Sequence, residues 1–169
     1  MNLSKSLMSA LTLLLCVGFV DVNESTAQTL TVENTSLETA YIAYIHRNGN
    51  GINVHQGLKT VPAGQSKVIS MRYHSIKSPT DVAVRVFRPG HPVFKFAGRK
   101  SITGFVDTKS QDFRLDFKNY DGGAAKVYRN NKYLGKFHMS QLSGLGFRQL
   151  GDFYLFPFDR SGRAKIRIQ

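Results

Sequence analysis

The clearest pattern in this sequence is an alternation of apolar and polar residues with a period of two. It is most regular at Phe113, Leu115 and Phe117, which alternate with Arg114 and Asp116. Successive side chains of a strand point to opposite faces, so this pattern predicts a strand with one buried face. The same alternation predicts further strands at residues 29–33, 82–86 and 165–168.

Turn signals separate these predicted strands. Asn48-Gly49-Asn50-Gly51 and Asn130-Asn131 are typical of tight hairpins, since Asn and Gly tolerate positive φ. Shorter strands are expected at 92–96 and 102–106, and a single helical turn at 138–142. After Val20 the sequence contains no apolar stripe of helical period that is longer than this turn. The pattern predicts an all-β fold, an antiparallel β-sandwich or barrel-like single domain of about ten short strands.

The N-terminal 27 residues have the order of an export signal. Lys5 precedes a 14-residue apolar run, Leu7 to Val20, and the small residues Ser25 and Ala27 precede Gln28. The run is shorter than the roughly 20 residues that a membrane-spanning helix needs. We therefore expect a cleaved signal peptide at 1–27 and a secreted or periplasmic protein without a transmembrane segment.

The remaining residues, 28–169, are predicted to form one all-β domain. A subdivision near 119–123 stays open, although no linker of biased composition marks a boundary there. The only cysteine, Cys16, lies in the predicted signal, so the mature domain is cysteine-free. Disulfide scaffolds and thiol enzymes are thereby excluded, and an apolar core must stabilise the fold.

Basic residues dominate the charge. The chain has 23 Lys and Arg against 11 Asp and Glu, a net charge of +12. Without residues 1–27, which hold Lys5, Asp21 and Glu24, 22 basic and 9 acidic residues remain and the net charge is +13. A field of this sign attracts polyanions, so an anionic partner is expected.

Five cations are the candidate anion-binding residues. By strand alternation they lie on outward faces, and neighbouring strands would bring them onto one surface. Arginine can bind a sulfate, phosphate or carboxylate group with two hydrogen bonds, and lysine adds a mobile point charge. The five residues are Arg85, Arg114, Lys118, Lys165 and Arg167.

No motif predicts a catalytic centre, a metal site or a cofactor. His46 and His55 flank the first predicted hairpin, but no pair of histidines has metal-ligand spacing. An Asn34-Thr35-Ser36 glycosylation sequon is present. An alternative hypothesis, a small extracellular hydrolase, would need histidines to meet loop carboxylates, of which the candidates are Asp107, Asp152 and Asp159.

The resulting hypothesis is a non-catalytic binding or surface-structural module. Its expected partner is an acidic polysaccharide, a cell-wall polymer or a lipid head-group surface, bound through many weak charge contacts. Nucleic acid is not an expected partner, because an exported protein meets little of it. A third hypothesis is recognition of another protein through an exposed sheet edge. The sequence does not predict the oligomeric state.

Overall fold

The computed structural model describes residues 28–47, 52–71, 81–118 and 123–169. Within these ranges the chain forms eleven strands, one 3-10 helix and no α-helix, which confirms the all-β class. The elements are, in chain order, β1 (Gln28–Asn34), β2 (Ala40–Arg47), β3 (Asn53–Val61), β4 (Ser66–Met71), β5 (Asp81–Phe87), β6 (Ser101–Asp107), β7 (Phe113–Phe117), β8 (Ala124–Arg129), β9 (Lys132–His138), the 3-10 helix (Met139–Gln141), β10 (Phe147–Pro157) and β11 (Arg163–Ile168).

The strands are arranged in two sheets. The smaller sheet has the order β11-β1-β4, and the larger has the order β6-β10-β5-β2-β3-β7-β8-β9. Every neighbouring pair of the larger sheet is antiparallel. The β1–β11 pair is parallel, so the prediction of a purely antiparallel fold was wrong there. These two strands lie at opposite ends of the domain sequence, and no hairpin dictates their relative direction.

Two apolar cores lie on opposite sides of the larger sheet. The first core packs the smaller sheet against the central strands, and contains Leu30, Ile42 and Val84. The second lies inside the curl of the larger sheet, and contains Ala43 and Phe153. Strands β2 and β5 contribute to both cores, and for this reason both of their faces are buried.

A histidine bridges β3 and β6 inside the curl. The backbone N–H of Phe105 donates a hydrogen bond of 3.0 Å to Nδ1 of His55. The imidazole also packs beside the Phe105 and Phe117 rings, at centroid distances of 5.9 and 4.9 Å. Because β3 and β6 are not paired by strand hydrogen bonds, this contact helps to hold the curled sheet together.

Gly104 on β6 allows a close approach in the second core. A Cβ added there would overlap Ile45 Cδ1 and lie 2.8 Å from Phe153 Cε2. We expect Gly104→Ala to lower the free energy of unfolding by about 1–3 kcal/mol, because it overpacks a buried site. Urea unfolding checks this. The matched control is Gly151→Ala, since nothing lies within 4 Å of a Cβ at Gly151. Equal stability of the two variants would contradict the expectation.

Several local predictions can be compared with these elements. The expected helical turn is the 3-10 helix at Met139–Gln141, and the regular alternation is β7. The strand expected at 92–96 does not form, although Phe94 and Phe96 still pack on the first core. The predicted signal peptide and the 48–51 turn lie outside the described residues. Strands β7 and β8, on either side of 119–123, pair in one sheet.

No helix in the described part of the chain is both long and apolar enough to cross a bilayer.

Candidate functional site

The five predicted anion-binding residues are not brought onto one surface by strand pairing. Their strands are β5, β7 and β11. In the larger sheet β5 lies between β10 and β2, whereas β7 lies between β3 and β8. Strand β11 belongs to the smaller sheet and pairs there with β1. Arg114 and Lys118, which lie in and directly after β7, are close in the chain and exposed to solvent, and so are Lys165 and Arg167 on β11.

Arg85 is buried, not on an outward face as its alternation with valines predicts. Its exposed fraction is 6%, because the second core covers the side of β5 that it occupies. The guanidinium donates to the backbone carbonyl of Gly151 and lies 3.5 Å from Asp152 Oδ2. Asp152 has a φ of 57° in an irregularity of β10. Arg85 therefore stabilises the β5–β10 contact and does not face a ligand.

Lys165 and Arg167 lie on the outward side of β11, as predicted, but both contact one acid. Lys165 Nζ lies 2.5 Å from Glu33 Oε1, and Arg167 donates to Glu33 Oε2 at 3.1 Å. The hydrogen bond from Lys165 is the main cause that lowers the pKa of the Glu33 carboxyl. These two cations are thus partly neutralised by β1.

Arg114 is held from two sides. Its Nε and Nη2 donate to the two carboxylate oxygens of Asp116, at 2.6 and 2.7 Å. Its Cζ lies 5.3 Å from the centroid of the Tyr128 ring. The Asp116 hydrogen bond also raises the pKa of the guanidinium. Because Asp116 is buried and Arg114 is half exposed, the pair presents a fixed, planar cation to solvent.

The outward sides of β7, β8 and β9 form one continuous face. Residues directly opposite each other in neighbouring strands share a face. Arg114 on β7 lies opposite Tyr128 on β8, which lies opposite Tyr133 on β9. Further along the same strands, Lys126 lies opposite Lys136. We call these five residues the basic–aromatic face.

The lysine pair of this face concentrates positive charge. Like charges directly opposite each other destabilise a strand pair, so the arrangement has a cost to folding. Neither the Lys126 nor the Lys136 ammonium group makes a hydrogen bond or an ion pair with another described residue. Asp116 lies opposite Lys126, but its carboxylate already accepts from Arg114. A bound anion would relieve this repulsion.

Beside the face lies a cleft of about 220 Å³. It opens between β3, β7 and the turn that joins β8 to β9. Tyr128 lines its β8–β9 side, and the Tyr128 ring packs on the Tyr133 ring at a centroid distance of 5.2 Å. The lining residues are Gln56, Asp112, Phe113, Arg114, Tyr128 and Asn131.

The two histidines of the first hairpin lie on opposite faces of the sheet. His55 is opposite Ile45, whereas His46 is opposite Val54, so their side chains point in opposite directions. Burial lowers the pKa of His55 to about 3 and that of His46 to about 4. His46 stacks on Tyr44 at a centroid distance of 5.9 Å. Both imidazoles are therefore neutral near pH 7.

The acids proposed for a hydrolase each have structural contacts. Asp107 accepts two hydrogen bonds from Arg129, at 2.6 and 3.0 Å, and Asp152 contacts Arg85. Asp159 caps its own turn, and the backbone N–H of Arg163 is the main cause that lowers its carboxyl pKa.

Among the described residues, no three His, Cys, Asp or Glu side chains form a group that could hold a metal ion.

The sequon asparagine is buried. Asn34 is 1% exposed, and its Nδ2 donates to the backbone carbonyls of Glu38 at 2.7 Å and Val61 at 2.9 Å. These hydrogen bonds fix the end of β1 against the end of β3. In the folded domain the amide nitrogen is therefore a structural donor and not an accessible attachment point.

No protein-family model, curated protein or solved structure gives a significant match to this chain.

Sequence reasoning missed Lys126 and Lys136 as a pair. A plain hairpin on Asn130-Asn131 would place Gly135 opposite Lys126. The pairing instead shifts between Val127 and Tyr128, so that Gly135 lies opposite Val127. Gly135 has a φ of 139°, which favours glycine, so the glycine inside this strand was the sequence signal for the irregularity.

Proposed function

We propose that this protein is an exported, non-catalytic binding module that engages an anionic polysaccharide or cell-wall polymer. The basic–aromatic face is its contact surface. The observation that carries the proposal is the opposed Lys126–Lys136 pair next to Arg114, Tyr128 and Tyr133. Repulsion between the two ammonium groups lowers the stability of the free protein, and a bound anion reduces this repulsion.

The chemistry of the face suits a polymer with a flat backbone. Tyr133 has 52% of its surface exposed, and aromatic rings offer apolar area to sugar rings. Arg114, held by Asp116, can donate two parallel hydrogen bonds to a carboxylate or sulfate. Exposed Lys118, directly after β7, adds a further positive charge. Many weak contacts of this kind give strongly salt-dependent binding.

Other cations of the domain are poorer candidates. Arg85 is buried, and Lys165 and Arg167 share Glu33 as a partner. Because the last two lie in the smaller sheet, they offer a charge-matched control for the basic–aromatic face.

The proposal predicts a selective effect of Lys126→Gln/Lys136→Gln. The protein, purified from an exporting host, is applied to a column of an acidic polysaccharide and eluted with salt. We expect the double variant to bind about 30-fold more weakly and to elute at much lower salt, since each lysine near an anionic surface contributes about 1 kcal/mol.

The control is Lys165→Gln/Arg167→Gln, which removes the same charge from the smaller sheet. We expect it to elute close to the parent protein. If both double variants shift equally, binding depends on net charge alone and the proposed face is wrong. If the parent protein elutes at low salt, the anionic-polymer proposal itself is wrong.

A further inference from the structure

The cleft beside the basic–aromatic face contains side chains of a kind that bind single sugar units. Its volume of about 220 Å³ lies below the roughly 300–1,000 Å³ typical of pockets for drug-sized ligands. A single six-membered ring is the appropriate size of ligand. Planar polar groups, one tyrosine ring and Phe113 line the cleft, and the polar groups define the ligand's chemistry.

Arg114 supplies the positive end of the cleft. Of its five N–H groups, one on Nε and one on Nη2 donate to Asp116. The two on Nη1 and the second on Nη2 have no acceptor among the described residues. Since Asp116 and the Tyr128 ring hold the guanidinium in place, these donors are fixed before a ligand arrives.

Asp112 supplies a negative group to the same cleft. Its backbone is fixed, because its N–H donates to Ser110 Oγ at 3.2 Å and its carbonyl accepts from the Asn130 N–H at 2.8 Å. Its carboxylate has no hydrogen-bond partner among the described residues. An ionised carboxylate only accepts hydrogen bonds, so it selects a ligand that offers hydroxyl donors.

Asn131 and Gln56 complete the lining with amide groups. Asn131 has a φ of 59° in the turn between β8 and β9, a conformation that asparagine tolerates. Gln56 lies opposite Arg114 across the β3–β7 pair. Each amide offers both a donor and an acceptor, which matches the two hydrogen-bonding roles of a hydroxyl group.

We propose that this cleft binds one carboxylated sugar unit, a uronic acid, of the polymer that the basic–aromatic face engages. The inference rests on the proposed function and specifies its ligand. The sugar carboxylate pairs with Arg114, and its hydroxyl groups donate to Asp112 and bond to Asn131. The nearby Asp112 carboxylate disfavours a densely sulfated sugar, whose additional negative charge it would repel.

The test compares three polymers: a polyuronate, its carboxyl-reduced neutral form and a dextran sulfate. Binding of the purified protein to each is measured by calorimetry at fixed salt. We expect the polyuronate to bind at least tenfold more tightly than its reduced form. If the neutral form binds equally well, the carboxylate is not recognised and the inference is overturned.

Asp112→Ala separates this inference from simple electrostatics. Removing a negative charge strengthens the binding of any polyanion if only charge matters. A sugar subsite predicts that the substitution changes the two affinities differently. The variant should bind the polyuronate about tenfold more weakly and should bind dextran sulfate as tightly as the parent protein or more tightly. Tighter binding of both polymers by the variant would overturn the subsite while leaving the basic–aromatic face intact.

Two further variants each change one contact of the cleft while keeping the local backbone conformation or the charge. Asn131→Gly keeps the positive φ and removes only the amide, and Arg114→Lys keeps the charge but loses the planar fork. Each is expected to weaken polyuronate binding about tenfold and dextran sulfate binding less than twofold, with an unchanged urea midpoint for Asn131→Gly. A different result would contradict the subsite and support only the basic–aromatic face: Lys126→Gln/Lys136→Gln loses binding to both polymers, whereas the cleft variants bind both as the parent protein does.

Discussion

Replacing Asp107 with alanine is expected to lower the free energy of unfolding by about 3–5 kcal/mol. The Asp107 side chain is fully buried at the end of β6, and it accepts from Nε and Nη2 of Arg129 on β8. Arg129 also donates to the carbonyl of Leu145 at 3.0 Å, so the pair joins β6, β8 and the turn before β10. The substitution leaves Arg129 with an unpaired, largely buried charge.

Urea unfolding of the Asp107→Ala variant measures this loss. The control is Glu33→Gln, which removes an acid from exposed ion pairs on the smaller sheet and should have a much smaller effect, because exposed ion pairs contribute little to stability. The double variant Asp107→Leu/Arg129→Met should regain much of the lost stability, because it removes both charges. Equal stability of Asp107→Ala and Glu33→Gln would contradict the structural role of the pair.

Acidification from pH 7.5 to pH 5 is expected to lower the free energy of unfolding by about 4 kcal/mol. Burial lowers the pKa of His55 to about 3 and that of His46 to about 4, against 6.5 for an ordinary histidine. Below pH 6.5 the unfolded chain therefore binds protons that the folded domain does not. Stability is complete above pH 6.5 and falls as the pH approaches 4 and then 3.

The measurement is a series of urea-unfolding curves between pH 7.5 and pH 5, a range above the ordinary carboxyl pKa values. His55 contributes further, because protonation at Nδ1 would break its hydrogen bond from the Phe105 N–H. The His46→Gln variant should lose about half of the pH dependence. A free energy that stays constant over this range would contradict the buried, neutral state of both imidazoles.

Local alternation predicted the fold class and several strands, but it failed where both faces of a strand are buried. At β7 the pattern predicted the inward Phe113 and Leu115, and the structure confirms both. At β5 the same reasoning placed Arg85 outside. The sheet curls around a second core there, and curling depends on long-range packing that no local pattern encodes.

The candidate site depended on register more than on residue type. The outward positions of Arg114 and Lys118 were predicted from the alternation along their strand alone. The Lys126–Lys136 pair needed the irregularity at Gly135, which turns Phe137 toward the second core and Lys136 outward. A shift of one residue moves every later side chain of a strand to the other face, so β9 could not be assigned from its sequence alone.

The most direct test of the central proposal is a map of the contact surface. Amide resonances of the labelled protein are followed by NMR while an acidic oligosaccharide is titrated at low salt. We expect the shifts to concentrate on β7, β8 and β9, with the largest changes at Lys126, Tyr128 and Lys136 and little change at Lys165 or Arg167. Shifts centred on β11, or spread evenly over all exposed lysines and arginines, would contradict a binding site on the basic–aromatic face.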